Sequence, residues 1–80
     1  MRFARPEKHS LTLNGHRTSV SLEPDFWEAF TAIARRDGLG INQLAARIDA
    51  ARGIEAGLAA AIRLYVLDDL KRNGAPSDGG

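Results

Sequence analysis

Several features that often reveal a function are missing from this sequence of 80 residues. It contains no cysteine, which excludes disulfides and thiolate metal sites. Its only histidines are His9 and His16, and their spacing does not suit two metal ligands on one helical face. We therefore expect neither a metal nor any other cofactor.

Long hydrophobic runs are also missing. No apolar segment approaches the ~20 residues that a transmembrane helix needs, so we expect no membrane partner. The basic start, Met1 to Pro6, leads into no apolar segment and does not indicate a secretory signal. We expect one soluble, cytoplasmic domain. Because a chain of this length buries only about 60% of its unfolded surface, oligomerisation should add stability.

Positive and negative charges nearly balance over the whole chain, but they are unevenly distributed along it. The formal net charge is +1. Residues 1–22 contain four basic residues and one acidic residue, a net +3, whereas residues 23–80 contain seven basic and nine acidic residues, a net −2. Positive charge at one end is the sign expected where a polyanion binds.

Residues 8–22 predict a β-hairpin that turns at Asn14-Gly15. This dipeptide suits a two-residue type I′ turn, because both central positions need φ > 0. The turn places Leu13 opposite His16, and successive side chains then alternate between two faces. The face expected to cover a core carries Leu11, Leu13, Thr18, Val20 and Leu22. The polar face, which a purely solvated sheet would also show, carries Lys8, Ser10, Thr12, Arg17, Ser19 and Ser21.

Three helical segments follow the hairpin and predict an α+β fold that is mostly α. The first should span 24–37, because proline after the acidic Glu23 suits a helix start and Gly38 suits its end. Apolar periodicity predicts the second helix over 41–51 and the third over 55–72.

The two ends of the chain lack this periodicity. Residues 1–7 are expected to form a flexible basic arm, either a frayed terminus or a DNA-contacting segment. Residues 73–80 are polar and rich in glycine, and we expect a disordered tail. The domain itself should therefore occupy residues 8–72.

From residue 17 to residue 30 the sequence combines a short alternating strand, an acid-proline helix start and an apolar-periodic helix. This segment resembles the ribbon-helix-helix family of DNA-binding proteins. Together with the segments 48–52 and 62–67, it looks like a bacterial subfamily with no settled function. The resemblance implies an intertwined homodimer, in which one strand of each chain forms an antiparallel ribbon above interlocking helices.

The resemblance also implies a DNA site, because the family's ribbon enters the major groove of double-stranded DNA. Its exposed side chains read bases, and here those positions are Arg17, Ser19 and Ser21. In the family, backbone amides at the start of the second helix hold phosphates. With a cation of the polar face added, the phosphate set is Lys8, Gly40, Ile41 and Asn42. Gly40 lacks the hydroxyl that the family often has at this helix cap.

Two features depart from the family core of one strand and two helices. The segment 60–63 also resembles the family's second helix, so its counterpart is either 41–51 or 55–72; the short loop favours 41–51. If two intact hairpins pair, four strands span about 14 Å of backbone. The major groove is about 12 Å wide. Either the outer strands peel back, the sheet docks differently, or DNA binding has been lost.

Two functions therefore remain open. One is a homodimeric DNA-binding transcription regulator; the other is a protein-interaction module that uses the same scaffold and has lost DNA binding. We expect no enzyme and no catalytic residue, because a nucleophile needs an adjacent base. Here the hairpin register points the serines and the histidines to opposite faces.

Overall fold

A hairpin followed by three helices makes up the chain in the computed structural model, which describes residues 4–51 and 57–74. This is the mostly helical α+β architecture that the sequence predicts. The elements are β1 (Glu7–Leu13), β2 (His16–Leu22), α1 (Pro24–Arg36), α2 (Ile41–Ala51), α3 (Leu58–Asp69) and a π-helical turn (Leu70–Gly74).

The hairpin has the predicted register. Leu13 lies opposite His16, and the antiparallel pairing continues to Glu7 opposite Leu22. The turn residues Asn14 and Gly15 have φ values of 53° and 84°, as a type I′ turn requires. Strand β1 begins at Glu7, one residue earlier than predicted, so the last residue of the expected flexible arm is part of the sheet.

The first two helices lie close to their predicted bounds. Helix α1 begins at Pro24 and ends at Arg36, one residue before the predicted end. Gly38, with φ of 70°, reverses the chain there, and the N–H of Leu39 donates to the carbonyl of Ala34 at 2.8 Å. Helix α2 has the predicted bounds.

The third helix differs at both ends from the prediction. Regular α-helix begins at Leu58; of the predicted start, residues 55 and 56 lie outside the described residues. After Asp69 the chain widens into the π-helical turn, so residues 70–72 are not α-helical. The turn includes Asn73, whose side-chain N–H donates to Asp69 at 3.1 Å. Residues 73 and 74 of the expected tail belong to this turn, and residues 75–80 lie outside the described residues.

One apolar core lies between the hairpin and the helices, with β1 against α2 and β2 against α3. Phe30 is fully buried within it. At its margin, His9 stacks on Trp27 with ring centroids 3.8 Å apart. None of the helices in the described part of the chain has the length and apolar character needed to cross a bilayer. The buried side chains are Leu11, Leu13, Val20, Leu22, Phe30, Ile33, Ala34, Leu44, Ala45, Ile48, Ala61, Ile62 and Val66.

Candidate nucleic-acid interface

The polar face of the hairpin is open. Every residue assigned to it from the sequence is exposed, namely Lys8, Ser10, Thr12, Arg17, Ser19 and Ser21. The alternate positions Leu11, Leu13, Val20 and Leu22 are buried against the helices. The three side chains predicted to contact bases therefore lie in a row on the outer surface of β2.

Positive charge on this face is not neutralised by neighbouring side chains. Across residues 4–51 and 57–74, neither Lys8 nor Arg17 forms an ion pair. Arg17 lies opposite Thr12, close to the turn, and Lys8 lies opposite Ser21 at the other end of the hairpin. Both cations can therefore interact with an anion without first breaking an ion pair.

The turn determines which backbone N–H and C=O groups point outward on the two edges of the hairpin. In a hairpin with a two-residue turn, the two residues that flank the turn exchange backbone hydrogen bonds. Every second pair of opposed residues beyond them does the same. The N–H and C=O groups of Thr12, Arg17, Ser19 and Ser21 therefore point away from the hairpin. In agreement, the N–H of Thr12 donates to Asn42 Oδ1 at 3.0 Å, and Arg63 Nη2 donates to the carbonyl of Ser21 at 3.5 Å.

The start of α2 lies beside the outer edge of β1, where Asn42 contacts Thr12. The side chain of Gln43 reaches back, and its Oε1 accepts the N–H of Gly40 at 2.8 Å. The first backbone bond of the helix joins the N–H of Leu44 to the carbonyl of Gly40 at 3.0 Å. Of the amides predicted to hold a phosphate, that of Gly40 is therefore already bonded. Those of Ile41 and Asn42 belong to the first turn, where amides lack helical acceptors.

The predicted phosphate residues do not all lie together. Asn42 contacts Thr12, whereas Lys8 lies four residues before Thr12 on β1. At the rise of an antiparallel strand, that separation is about 14 Å. Lys8 and the start of α2 therefore belong to two separate positions along the hairpin.

One interaction beside the hairpin was not predicted. Arg63 of α3 binds Glu23 at the start of α1 through two hydrogen bonds, from Nε to Oε1 at 2.8 Å and from Nη2 to Oε2 at 3.0 Å. Its guanidinium also lies 5.9 Å from the ring centroid of Phe26. The hydrogen bonds from Arg63 hold the pKa of Glu23 below its usual value. Residues 40 positions apart give no spacing signal from which this pair could be found.

A second ion-pair cluster joins the end of α1 to the end of α3. Arg36 contacts Asp37 at 2.9 Å, from Nε to Oδ1, and Asp69 at 3.0 Å, from Nη2 to Oδ1. Hydrogen bonds from Arg36 lower the pKa of both carboxyl groups. No group of acidic or histidine side chains in the described ranges could hold a metal ion.

A family model described as a ribbon-helix-helix domain matches residues 6–70. The chain belongs to this ribbon-helix-helix domain family. Domains of the family are generally DNA-binding transcription regulators. The match runs from β1 through α3, so the upstream strand and the third helix are part of the matched ribbon-helix-helix domain. No curated protein and no solved structure matches the chain.

Proposed function

We propose that this ribbon-helix-helix protein is a homodimeric transcription regulator that binds double-stranded DNA through the polar face of its hairpin. The observation that carries the proposal is the exposed row Arg17, Ser19 and Ser21 on β2, in a chain of this family. Bacterial DNA lies in the cytoplasm, so a cytoplasmic location is part of the proposal.

Each residue type has a distinct chemical role. The guanidinium of Arg17 can donate two hydrogen bonds to O6 and N7 of guanine, which is worth about 1–3 kcal/mol of discrimination. The hydroxyls of Ser19 and Ser21 donate or accept, so they discriminate less strongly between bases. Lys8 and the free amides of Ile41 and Asn42 are suited to phosphates.

The extra strand restricts how the protein can dock. Strand β1 pairs with β2 over seven residues and is also tied to α2 through Asn42, which argues against peeling away from DNA. Adjacent strands of a sheet are rotated by roughly 20–25°. In a four-stranded sheet, that twist turns the outer β1 strands out of the plane of the central pair. We propose that the two β2 strands face the bases, while Lys8 on β1 meets the phosphates.

Fluorescence anisotropy with labelled duplex DNA tests this function. We expect binding to weaken steeply with salt, because phosphate contacts release counterions. Arg17→Ala should reduce affinity for the preferred sequence by about 5- to 140-fold, at 1.4 kcal/mol per tenfold. Arg35→Ala removes an exposed cation from the last turn of α1 and serves as the matched control. Salt-independent binding, or equal effects of the two substitutions, would contradict the proposal.

The alternative, a protein-interaction module, is supported by the exposed leucines of α3 and of the π-helical turn after it, Leu64, Leu67 and Leu70. A protein partner captured equally well by wild type and by Arg17→Ala, with no measurable DNA binding, would favour that function over the regulator.

A further inference from the structure

A cavity of about 310 Å³ lies between the second half of α1 and the end of α3. Ala29, Ala32 and Ile33 line it on α1, and Val66 and Leu70 line it on the other side. Val66 is buried, whereas Leu70 is 49% exposed. Because alanine side chains end at Cβ, they leave space between the helices that larger side chains on α1 would fill. The cavity opens to solvent, so a molecule can enter it.

The charged groups of the lining neutralise each other. Among the described residues that line the cavity, only Arg36 and Asp69 are charged. Arg36 Nη2 lies 3.0 Å from Asp69 Oδ1, and Arg36 Nη1 donates to Asp69 Oδ2 at 3.2 Å. Asp69 Oδ1 also accepts the side-chain N–H of Asn73 at 3.1 Å. The described lining therefore offers a ligand no unpaired charge.

Arg36 keeps one donor for a neutral acceptor. Its Nε and Nη2 donate to the two carboxylate oxygens of Asp37, at 2.9 Å and 3.2 Å. With the two contacts to Asp69, Arg36 makes four contacts to carboxylate oxygens. A guanidinium carries five N–H groups. The remaining N–H, on Nη1, can therefore donate to an oxygen atom of a ligand without breaking an ion pair.

The dimensions of the cavity restrict what it can hold. An apolar cavity of about 150 Å³ binds benzene. A volume of about 310 Å³ therefore suits two fused rings. On the side of α3, the lining extends only from Val66 to Leu70, which is about one helical turn. That length is too short for the successive anchor residues of a docked amphipathic helix, so the cavity fits a small molecule better than a protein segment.

We propose that this cavity binds a neutral small molecule of about two fused rings that carries one hydrogen-bond acceptor, such as a ring carbonyl. The rings pack between the apolar side chains of the two helices, and the carbonyl accepts the remaining N–H of Arg36. A carboxylate would lie beside Asp69 and an amine would face Arg36, so charged molecules should bind less well. The turn that carries Leu70 supports the proposal, because π-helical turns are frequent at functional sites.

The two helices that form the cavity meet again beside the hairpin. Arg63 on α3 binds Glu23 at the start of α1, and its Nη2 donates to the carbonyl of Ser21. A ligand that changes the separation of α1 and α3 at the cavity would therefore alter this contact next to the polar face of the hairpin. A regulatory effect on DNA binding rests on the proposed function, whereas the binding site itself does not.

Coumarin is a suitable probe, because it has two fused rings, a ring carbonyl and no charge. Titration into isotope-labelled protein, followed by two-dimensional NMR, should shift the amide signals of residues 29–36 and 66–70. A molecule of this size should bind with a Kd on the order of 1 mM. The carboxylate derivative of coumarin has the same rings and a negative charge, and should bind about threefold or more weakly. Equal binding of the two probes, or shifts only in other segments, would overturn the proposal.

Substitutions on the helix surfaces locate the ligand. Ala32→Leu fills the cavity from an exposed position of α1 and should abolish the shifts caused by coumarin. Ala50→Leu makes the same change at an exposed position of α2, outside the cavity lining, and should leave binding unchanged. Both changes introduce a strong helix former, and circular dichroism verifies the fold. Binding retained by Ala32→Leu, or weakened equally by both changes, would refute the site.

Asp69→Asn tests the role of charge. This change removes a carboxylate that compensates Arg36, so the carboxylate derivative should gain about threefold or more in affinity relative to coumarin. An unchanged ratio of the two affinities would show that the ion pair does not set the preference for a neutral ligand, which contradicts the proposed ligand class.

Fluorescence anisotropy with duplex DNA tests the regulatory effect. Saturating coumarin should change the DNA affinity of wild type by about fivefold or more, and that of Ala32→Leu not at all. If coumarin shifts the cavity signals but DNA affinity stays constant, the site stands and its regulatory effect is wrong. If no DNA binds with or without coumarin, the proposed function fails, while the NMR titration still decides the site.

Discussion

Two substitutions of Asn42 should affect the stability of the protein differently although both affect the turn that is predicted to bind DNA. Asn42 Oδ1 accepts the N–H of Thr12 at 3.0 Å and so ties β1 to the start of α2. Asn42→Ala removes this bond, which typically contributes about 0.5–1.5 kcal/mol. For a domain of this size, about 1 kcal/mol corresponds to a decrease in Tm of about 4–8 °C.

Asn42→Asp is the informative comparison. A carboxylate keeps the acceptor for the N–H of Thr12 and places negative charge near the positive N-terminus of α2. We therefore expect stability equal to wild type or higher by a few tenths of a kcal/mol. The same charge would repel a phosphate at this turn, so DNA affinity should fall although the fold is intact.

Urea unfolding and amide hydrogen exchange are the assays. The N–H of Thr12 points away from the hairpin, so its protection depends on Asn42 and should disappear in Asn42→Ala. The N–H of Ser10 faces the same edge, bonds to no acceptor within the described residues, and serves as the fast-exchanging reference. Unchanged protection of Thr12 in Asn42→Ala, or equal destabilisation by Asp and Ala, would refute this reasoning.

Two further predictions concern stability. Phe30→Ala should lower the free energy of unfolding by about 3–5 kcal/mol, since the ring is fully buried. Urea unfolding should show a much larger destabilisation than for Leu64→Ala at an exposed site. The pKa values of Glu23 and Asp69 are lowered in the folded chain. The ionised carboxylates therefore stabilise the folded state fully above their unfolded pKa values, and this stabilisation is lost as pH falls below about 5. The urea midpoint should therefore decrease in acid, and Glu23→Gln should reduce that decrease; an unchanged pH dependence would contradict the role of the Arg63 pair.

Local patterns predicted most of the fold. The dipeptide Asn14-Gly15 set the turn, and strict alternation of apolar residues then allowed one register. Pro24 and Gly38 marked the two ends of α1 to within one residue. The end of α3 was not predictable in the same way, because a last turn stays α-helical or widens to a π-helical turn according to which carbonyl each backbone N–H reaches, and no residue pattern specifies that choice.

The candidate site was predicted only where it depends on strand alternation. Exposure of Arg17, Ser19 and Ser21 follows from their parity along β2. The contacts that modify the site join distant segments: Asn42 to Thr12 and Arg63 to Glu23 are 30 and 40 residues apart. Such pairs depend on how the helices pack under the sheet, which neither periodicity nor propensity specifies.

Strand β1 comes from the same chain as β2, and this changes how the protein responds to dilution. A ribbon made from two chains disappears when the chains separate. Here the ladder closes across a two-residue turn, so its formation is unimolecular and requires little loop-closure entropy. In the proposed homodimer, a subunit would thus keep its hairpin when the protein is diluted below the dissociation constant. If the proposed dimer is the DNA-binding form, the cellular amount of the protein, rather than refolding of the hairpin, would set how quickly it assembles.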